Sequence, residues 1–240
     1  YRTSLKGLTP ERAMETVFSG NPWTTSFTED SFGNIWIGTY RNGTFCFHKN
    51  QTPFQKSMSG KNIECMSTDH SGNYWIGSLN GEVCVLDSTQ KQIMGKTIFP
   101  NDMIHTICGQ ESSNKVWVGT MYGLYEAWIE SNKQIVYQKT SGINIPSIRS
   151  IVQDSCFLWI ASYNNGVTLY NYSTQQSVVT YKTDSEVLPL PSNTIRTILK
   201  DRENNLWVGT AEGLVVLNGK ERFTSSPIFR KFSFATHQNN

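Results

Sequence analysis

At 240 residues the chain is long enough for one large domain or two small ones, and it can bury a sizeable core. Its 21 Lys and Arg against 19 Asp and Glu leave a net charge of +2, which excludes a basic field built to hold nucleic acid. Charged residues at 17% fall below the roughly 25% of an average soluble domain, while 12% aromatics and 18 Gly suit turn-rich β structure.

Residues 1–22 fit no repeat. Thr9-Pro10-Glu11 offers an N-cap, a first-turn proline and an early acid, so a short helix is expected over Thr9 to Phe18 as a lead-in. From residue 23 to 235 one pattern recurs five times. Trp36, Trp75, Trp117, Trp159 and Trp207 each head the same phrase, from Trp36-Ile37-Gly38-Thr39 to Trp207-Val208-Gly209-Thr210, at intervals of roughly 40 residues. Upstream of the Trp lies a second phrase, clearest as Ile195, Ile198 and Asp201 and repeated as Ile63, Met66 and Asp69 and as Ile148, Ile151 and Asp154. Copy one has Thr24, Phe27 and Asp30; copy three has Ile104, Ile107 and Gln110 and has lost its Asp. Downstream come Gly43, Gly81, Gly123, Gly166 or Gly213, each opening another apolar run.

Each copy therefore predicts an apolar strand, a polar turn, a Trp-led strand, a Gly loop and a third strand. A fainter fourth strand is expected at Thr52 to Ser57, Gln92 to Thr97, Ile135 to Lys139, Val178 to Lys182 and Ile228 to Phe234. Four strands per repeat, repeated, is the pattern of a β-propeller blade, so the predicted fold is all-β, a propeller with five four-stranded blades in view. Residues 236–240 are expected to start a connection to a following region.

The repeated residues have structural roles in this scheme. Gly33, Gly72 and Asn204 occupy turn positions that call for positive φ. Asp30, Asp69, Asp154 and Asp201 are expected to close their hairpins by accepting backbone N–H groups two or three residues on. Each Trp is expected to wedge between blades with its indole N–H bonded to a carbonyl, and the Gly two residues later to permit close approach of sheets, with Ala161 as the exception. A calcium loop is excluded, since the alternating acceptors and distal Glu it needs are missing.

Cys46, Cys65, Cys84, Cys108 and Cys156 show neither C-x-x-C spacing nor a disulfide framework and read as apolar fillers of strands; no metal and no cofactor is expected. Cys46 and Cys84 hold equivalent third-strand positions, too far apart to bridge if neighbouring sheets stand about 10 Å apart. No window approaches 18 or so apolar residues and no signal peptide begins the chain, which starts at Tyr1 and reads as a soluble piece of something longer.

The I-x-x-I-x-x-D phrase, followed by G-N-x-W-I-G-T and a Gly-led strand, resembles the two-component regulator propeller repeat over roughly residues 23 to 235. The resemblance implies the periplasmic sensor region of a hybrid histidine kinase that responds to glycans in Gram-negative bacteria, with repeats in seven-bladed propellers, often two in tandem. It further implies an inner-membrane-anchored receptor whose remaining blades and transmembrane kinase lie outside these residues. Five copies then suit a fragment of a larger ring better than a closed ring of five.

Propeller geometry places the loops between second and third strands on the face that usually binds ligands. Those loops hold Tyr40, Arg41 and Asn42, then Tyr122, then Tyr163 and Asn164. Rings flanked by amide and guanidinium donors suit an oligosaccharide, whose C–H face packs on a ring while its hydroxyls find planar partners. The residues following the leading Ile, namely Glu64, His105, Arg149 and Arg196, are polar and either point to the central channel or solvate a strand end. No paired acid and base accompanies them at a recognisable spacing, so a propeller glycosidase or lyase is the weaker alternative and a protein-interaction or dimerising scaffold the other.

Overall fold

Alternating apolar and polar residues, punctuated by Gly- and Asn-bearing turns, give twenty strands and no helix among the described residues. The structure is a computed structural model that describes residues 23–30, 33–41, 43–47, 55–57, 61–87, 89, 91–185, 189–224, 227 and 229–232. The helix expected over residues 9–18 and the connection at 236–240 lie outside these.

The strands fall into five antiparallel sheets, each taken consecutively from the chain. The first blade comprises β1 (Thr24–Glu29), β2 (Ile35–Thr39), β3 (Gly43–Phe47) and β4 (Gln55–Ser57). The second comprises β5 (Ile63–Thr68), β6 (Tyr74–Ser78), β7 (Glu82–Leu86) and β8 (Gln92–Thr97). In the third are β9 (Ile104–Gly109), β10 (Lys115–Thr120), β11 (Gly123–Ile129) and β12 (Ile135–Lys139). The fourth holds β13 (Ile148–Asp154), β14 (Phe157–Ser162), β15 (Gly166–Asn171) and β16 (Gln176–Tyr181). Last come β17 (Ile195–Lys200), β18 (Leu206–Thr210), β19 (Gly213–Leu217) and β20 (Phe229–Phe232). This is the expected five-bladed propeller arrangement; residues 52–54, 228, 233 and 234 of the expected outer strands lie outside the described residues, and β16 starts two residues earlier than expected.

Blades pack in chain order through their inner strands, β1 on β5, β5 on β9, β9 on β13 and β13 on β17. The core is correspondingly split into four apolar layers, one per interface. A Trp sits in every layer: Trp36, Trp75, Trp117 and Trp159 are all buried against the following blade. Trp207 meets no following blade among the described residues and is only half-buried.

The Gly two residues after each Trp is where the next blade's leading Ile comes to rest. A Cβ on Gly77 would lie 2.7 Å from Ile104 Cγ2, and one on Gly119 would lie 2.5 Å from Ile148 Cγ2. In the fourth blade Ala161 takes this place, and its methyl is absorbed into the layer that holds Ile195. Gly209 meets only Thr197 of its own sheet. In the turns, positive φ occurs at Gly33, Gly72 and Asn204, as the sequence predicts.

The same asymmetry appears at both ends of the series. Phe27 and Ile35 occupy the positions that bury Met66 and Tyr74 in the second blade, yet they are 64% and 43% exposed. At the other end Leu199, register partner of Trp207, is 62% exposed, whereas its counterpart Val152 packs into a layer.

Overpacking a close approach costs about 1–3 kcal/mol. Gly119→Ala should therefore lower stability by that amount in a urea melt, while Gly209→Ala, with no neighbouring Ile to displace, should change it far less. Likewise Trp75→Ala should cost about 3–5 kcal/mol and Trp207→Ala clearly less.

Candidate functional site

Polar clips hold the Trp in three of the blades. In three blades the turn Asp carboxylate receives the indole N–H directly: Trp36 Nε1 to Asp30 at 3.1 Å, Trp75 Nε1 to Asp69 at 2.9 Å and Trp207 Nε1 to Asp201 at 2.8 Å. The same carboxylates accept the backbone N–H and side-chain amide of Asn34, Asn73 and Asn205, four residues on. The indole partner is thus a carboxylate and not the expected carbonyl; the expected bond from a backbone N–H two residues on occurs at Asp201, from Glu203 at 2.9 Å, while all three turns also close at the fourth residue. The reason is reach, since both carboxylate oxygens face back across the hairpin towards the Asn and the Trp.

Burial alone pushes the Asp30 carboxyl upward, but hydrogen bonds from Tyr74, Asn34 and Trp36 outweigh it and hold the group below its ordinary value. The third and fourth blades have lost this clip. Gln110 binds Glu126 and Ser113, and Asp154 turns to the fifth blade, where Lys200 Nζ at 3.2 Å and Arg222 Nε at 2.5 Å clamp it. The indole N–H groups of Trp117 and Trp159 accordingly find no acceptor among the described residues.

All five inner strands carry a β-bulge at one equivalent point. The ladder skips one residue between Thr24 and Ser26, Ile63 and Cys65, Ile104 and Thr106, Ile148 and Ser150, and Ile195 and Thr197. The skipped residues are Thr25, Glu64, His105, Arg149 and Arg196. A bulge leaves its extra residue unpaired and re-aims its side chain, and bulges gather beside binding sites. These five positions therefore form one row, one from each blade, at the start of the inner strands. Thr25 was not singled out from the sequence; its Oγ1 donates to the Ile63 carbonyl across the first interface.

Four of the nine loop and strand candidates come together on this row. Arg149 Nη1 lies 3.1 Å from His105 Nδ1, which must accept because a guanidinium only donates. The imidazole side chain is 3% exposed, and its Nε2 has no partner among the described residues. Burial, aided by Arg149, pushes its pKa down to about 4, so it is neutral at pH 7. Glu64 Oε1 stands 4.0 Å from the same Nδ1; burial raises the Glu64 carboxyl above its ordinary range and Arg149 draws it back only in part.

Tyr163 lies over both arginines: its ring centroid is 5.2 Å from the guanidinium carbon of Arg149 and 5.2 Å from that of Arg196. The backbone explains this placement. Tyr163 donates its N–H to the Ser147 carbonyl at 2.9 Å, two residues before Arg149, and bridges Thr194, two residues before Arg196. Asn164, at φ 87°, is spent on the loop itself: its N–H donates to the Asn193 carbonyl and its side chain accepts from Thr194.

The remaining candidates are not joined to this cluster by any described contact. Arg41 stacks on Tyr40 at 5.1 Å, and Tyr40 lies against Trp23. Tyr122 is 60% exposed on its own loop. Asn42 lies outside the described residues. Cys46, Cys65, Cys84, Cys108 and Cys156 carry free thiols, and no group of three or more metal-ligating side chains occurs among the described residues.

Residues 18–41 and 189–212 match the family model of the two component regulator propeller, over the first and last copies of the repeat. Those two stretches are similar to that repeat. Among solved structures, this chain is similar at 24% identity to the extracellular domain of a B. thetaiotaomicron protein described as the hybrid two component system BT3049, with a TM-score of 0.71. It covers 91% of this chain but only 29% of that domain. A catalytically inactive virginiamycin B lyase from Staphylococcus aureus matches at 15% identity with a TM-score of 0.70, over 92% of this chain and 73% of the lyase. The β-propeller domain of Myceliophteria thermophila Cps50 (Swd1) matches at 10% identity with a TM-score of 0.66, over 90% of this chain and 75% of that one. These likenesses establish the fold. Among curated proteins none matches.

The depressed His105 fixes a sign for the propeller's response to acid. The unfolded chain protonates this residue near 6.5 and the folded one only near 4, so its contribution is intact above about pH 6.5 and is lost as pH falls towards 4. Glu64, raised by burial, works in the opposite direction. His105→Gln should therefore flatten the decline of the melting temperature between pH 6.5 and 4. Asp154, held low by Arg222 and Lys200 against burial, acts at lower pH. Asp154→Asn should cost about 1.5–3 kcal/mol at pH 7, and that deficit should close only as pH falls below the ordinary carboxylate range, through the depressed value at which the wild-type carboxyl itself protonates.

Proposed function

We propose that this regulator propeller is a ligand-recognising portion of an extracytoplasmic sensor in a two-component signalling receptor. It binds an oligosaccharide without converting it and hands the signal to a kinase outside these residues. The observation that carries this reading is the bulge row: a regular scaffold re-aims one polar side chain per blade to a common place beside a Tyr-bearing loop. The family match and the likeness to an extracellular domain of a hybrid two component system support it. The location follows as the periplasm, in an inner-membrane-anchored receptor.

A non-catalytic role is favoured by the state of the row's only histidine. His105 is enclosed and neutral, and its Nδ1 is occupied by Arg149 rather than presented to a substrate. A general acid or base must reach the proton it transfers. This imidazole instead serves as a rest for a guanidinium.

The exposed apolar flanks carry a second statement about partners. Phe27 and Ile35 at one end, and Leu199 with half-buried Trp207 at the other, are interface residues of blades that lack neighbours in this series. Further blades of the same parent chain, completing a seven-bladed ring, are the fitting cover; a homodimer or an interaction scaffold is the alternative.

Thermal melts of the chain against a panel of oligosaccharides test the reading. A ligand at 100 times its Kd stabilises by about 2.7 kcal/mol, which shifts the melting temperature visibly. A shift for particular sugars, with no product formed, is the expected result. Turnover would make the protein an enzyme, and concentration-dependent mass with indifference to every sugar would make it a scaffold.

A further inference from the structure

Arg149 and Arg196 present an electrostatic arrangement that nothing among the described residues resolves. Two guanidinium groups lie over one tyrosine ring, and among the described residues no carboxylate comes within ion-pair distance of either. The Lys and Arg ion pairs among the described residues lie elsewhere: Lys61 with Glu82, Lys115 with Glu126, Lys200 and Arg222 with Asp154, and Arg230 with Glu221. Glu64 is the acid that faces Arg149; its Oε1 stands 4.0 Å from the same His105 Nδ1 that Arg149 contacts, it forms no ion pair with the guanidinium, and burial resists its ionisation. Like charges held on a shared ring repel one another, and an anion placed against both relieves that cost.

The two arginines are also held differently, in a way that suits a clamp. His105 accepts from Nη1 of Arg149 and so fixes that guanidinium from behind. Arg196 is exposed, and among the described residues its recorded contact is the Tyr163 ring. Tyr163 itself is tied by backbone bonds to the approaches of both strands. One fixed fork, one adjustable fork and a ring between them match a sugar that bears an oxyanion. The forks pair with planar acceptor oxygens, while the ring takes the sugar's C–H face.

We infer that the bulge row is an oxyanion subsite, in which Arg149 and Arg196 bind the carboxylate or sulfate of an acidic saccharide beside Tyr163. This rests on the saccharide-sensing reading and narrows its ligand to an anionic class. Thr25 and Glu64, at the other end of the row, leave that end neutral to acidic, so a single oxyanion is directed to the Arg149–Arg196 end.

The test is calorimetric titration of the full chain with three probes of similar length: an oligogalacturonide, a sulfated chondroitin oligosaccharide and a neutral cello-oligosaccharide. Either acidic probe should bind at least tenfold tighter than the neutral one, weaken as sodium chloride is raised, and lose on the order of tenfold or more in affinity with Arg196→Gln. Which acidic probe binds distinguishes carboxylate from sulfate. Arg196→Lys should recover only part of the loss, because an ammonium keeps the charge without the fork. Since Arg196 is exposed, the unliganded melts of both variants should match the wild type, which separates lost contact from lost fold. Equal binding of the neutral probe, unmoved by Arg196→Gln, would overturn the oxyanion subsite and leave saccharide sensing intact. Binding of none of the three probes at millimolar concentration would overturn both.

Discussion

The contact between a leading Ile and the backbone of the preceding blade's glycine governs this molecule. Sheets can approach at the start of the inner strands only because Gly38, Gly77 and Gly119 carry no side chain where Ile63, Ile104 and Ile148 arrive. The Trp two residues before each glycine then fills the wider part of the same gap, where the twisted sheets diverge. A bulky residue and a missing one, alternating on a single strand, thus set the wedge angle between blades. The register of each interface follows from them.

That contact also builds the candidate site. An Ile at the start of a strand and another three residues later point to opposite faces of a regular strand, yet Ile148 and Ile151 are both buried in the same layer. The bulge at Arg149 reconciles them by inserting one residue. The residue so inserted must be polar, because it is turned out of the layer and out of the ladder. Packing between blades and presentation of the polar row are therefore two consequences of one spacing, and a change that regularised the strand would lose both.

Much of this was legible. The Trp phrases gave the blades, the Gly loops the second hairpins, and alternation the outer strands to within a few residues, because each is a local pattern imposed by strand period and turn sterics. The bulges were written in the Ile-x-x-Ile spacing itself, but seeing them required knowing that both Ile face the same layer. The Asp–Trp clip was hidden for a different reason: which acceptor an indole meets depends on where the hairpin folds a carboxylate, and no spacing in the sequence displays that. Of the site, the residue types on the row were visible, while the grouping was not. Tyr163 joins Arg149 and Arg196 through the Ser147 carbonyl and the Thr194 bridge, long-range pairings that only the assembled blades create. Tyr40, Arg41 and Tyr122 looked equivalent to Tyr163 in the sequence and differ from it in having no row residue stacked on them.

The lost clips show how the scaffold tolerates divergence where its neighbours compensate. The third and fourth blades leave the indole N–H of Trp117 and Trp159 without a carboxylate, a cost of about 1–3 kcal/mol for a buried donor with no acceptor. Both blades are interior to the series and closely packed on each side, so dispersion and burial hold their Trp in place without the polar anchor. Trp207 is the opposite case: half-buried at an open flank, it retains the full Asp201–Asn205 clip. Packing does not by itself decide where the clip survives, since the second blade, interior and with Trp75 fully buried, keeps its Asp69 clip. The clip is thus a local device, set by whether a blade's own turn supplies an aspartate aimed at its Trp.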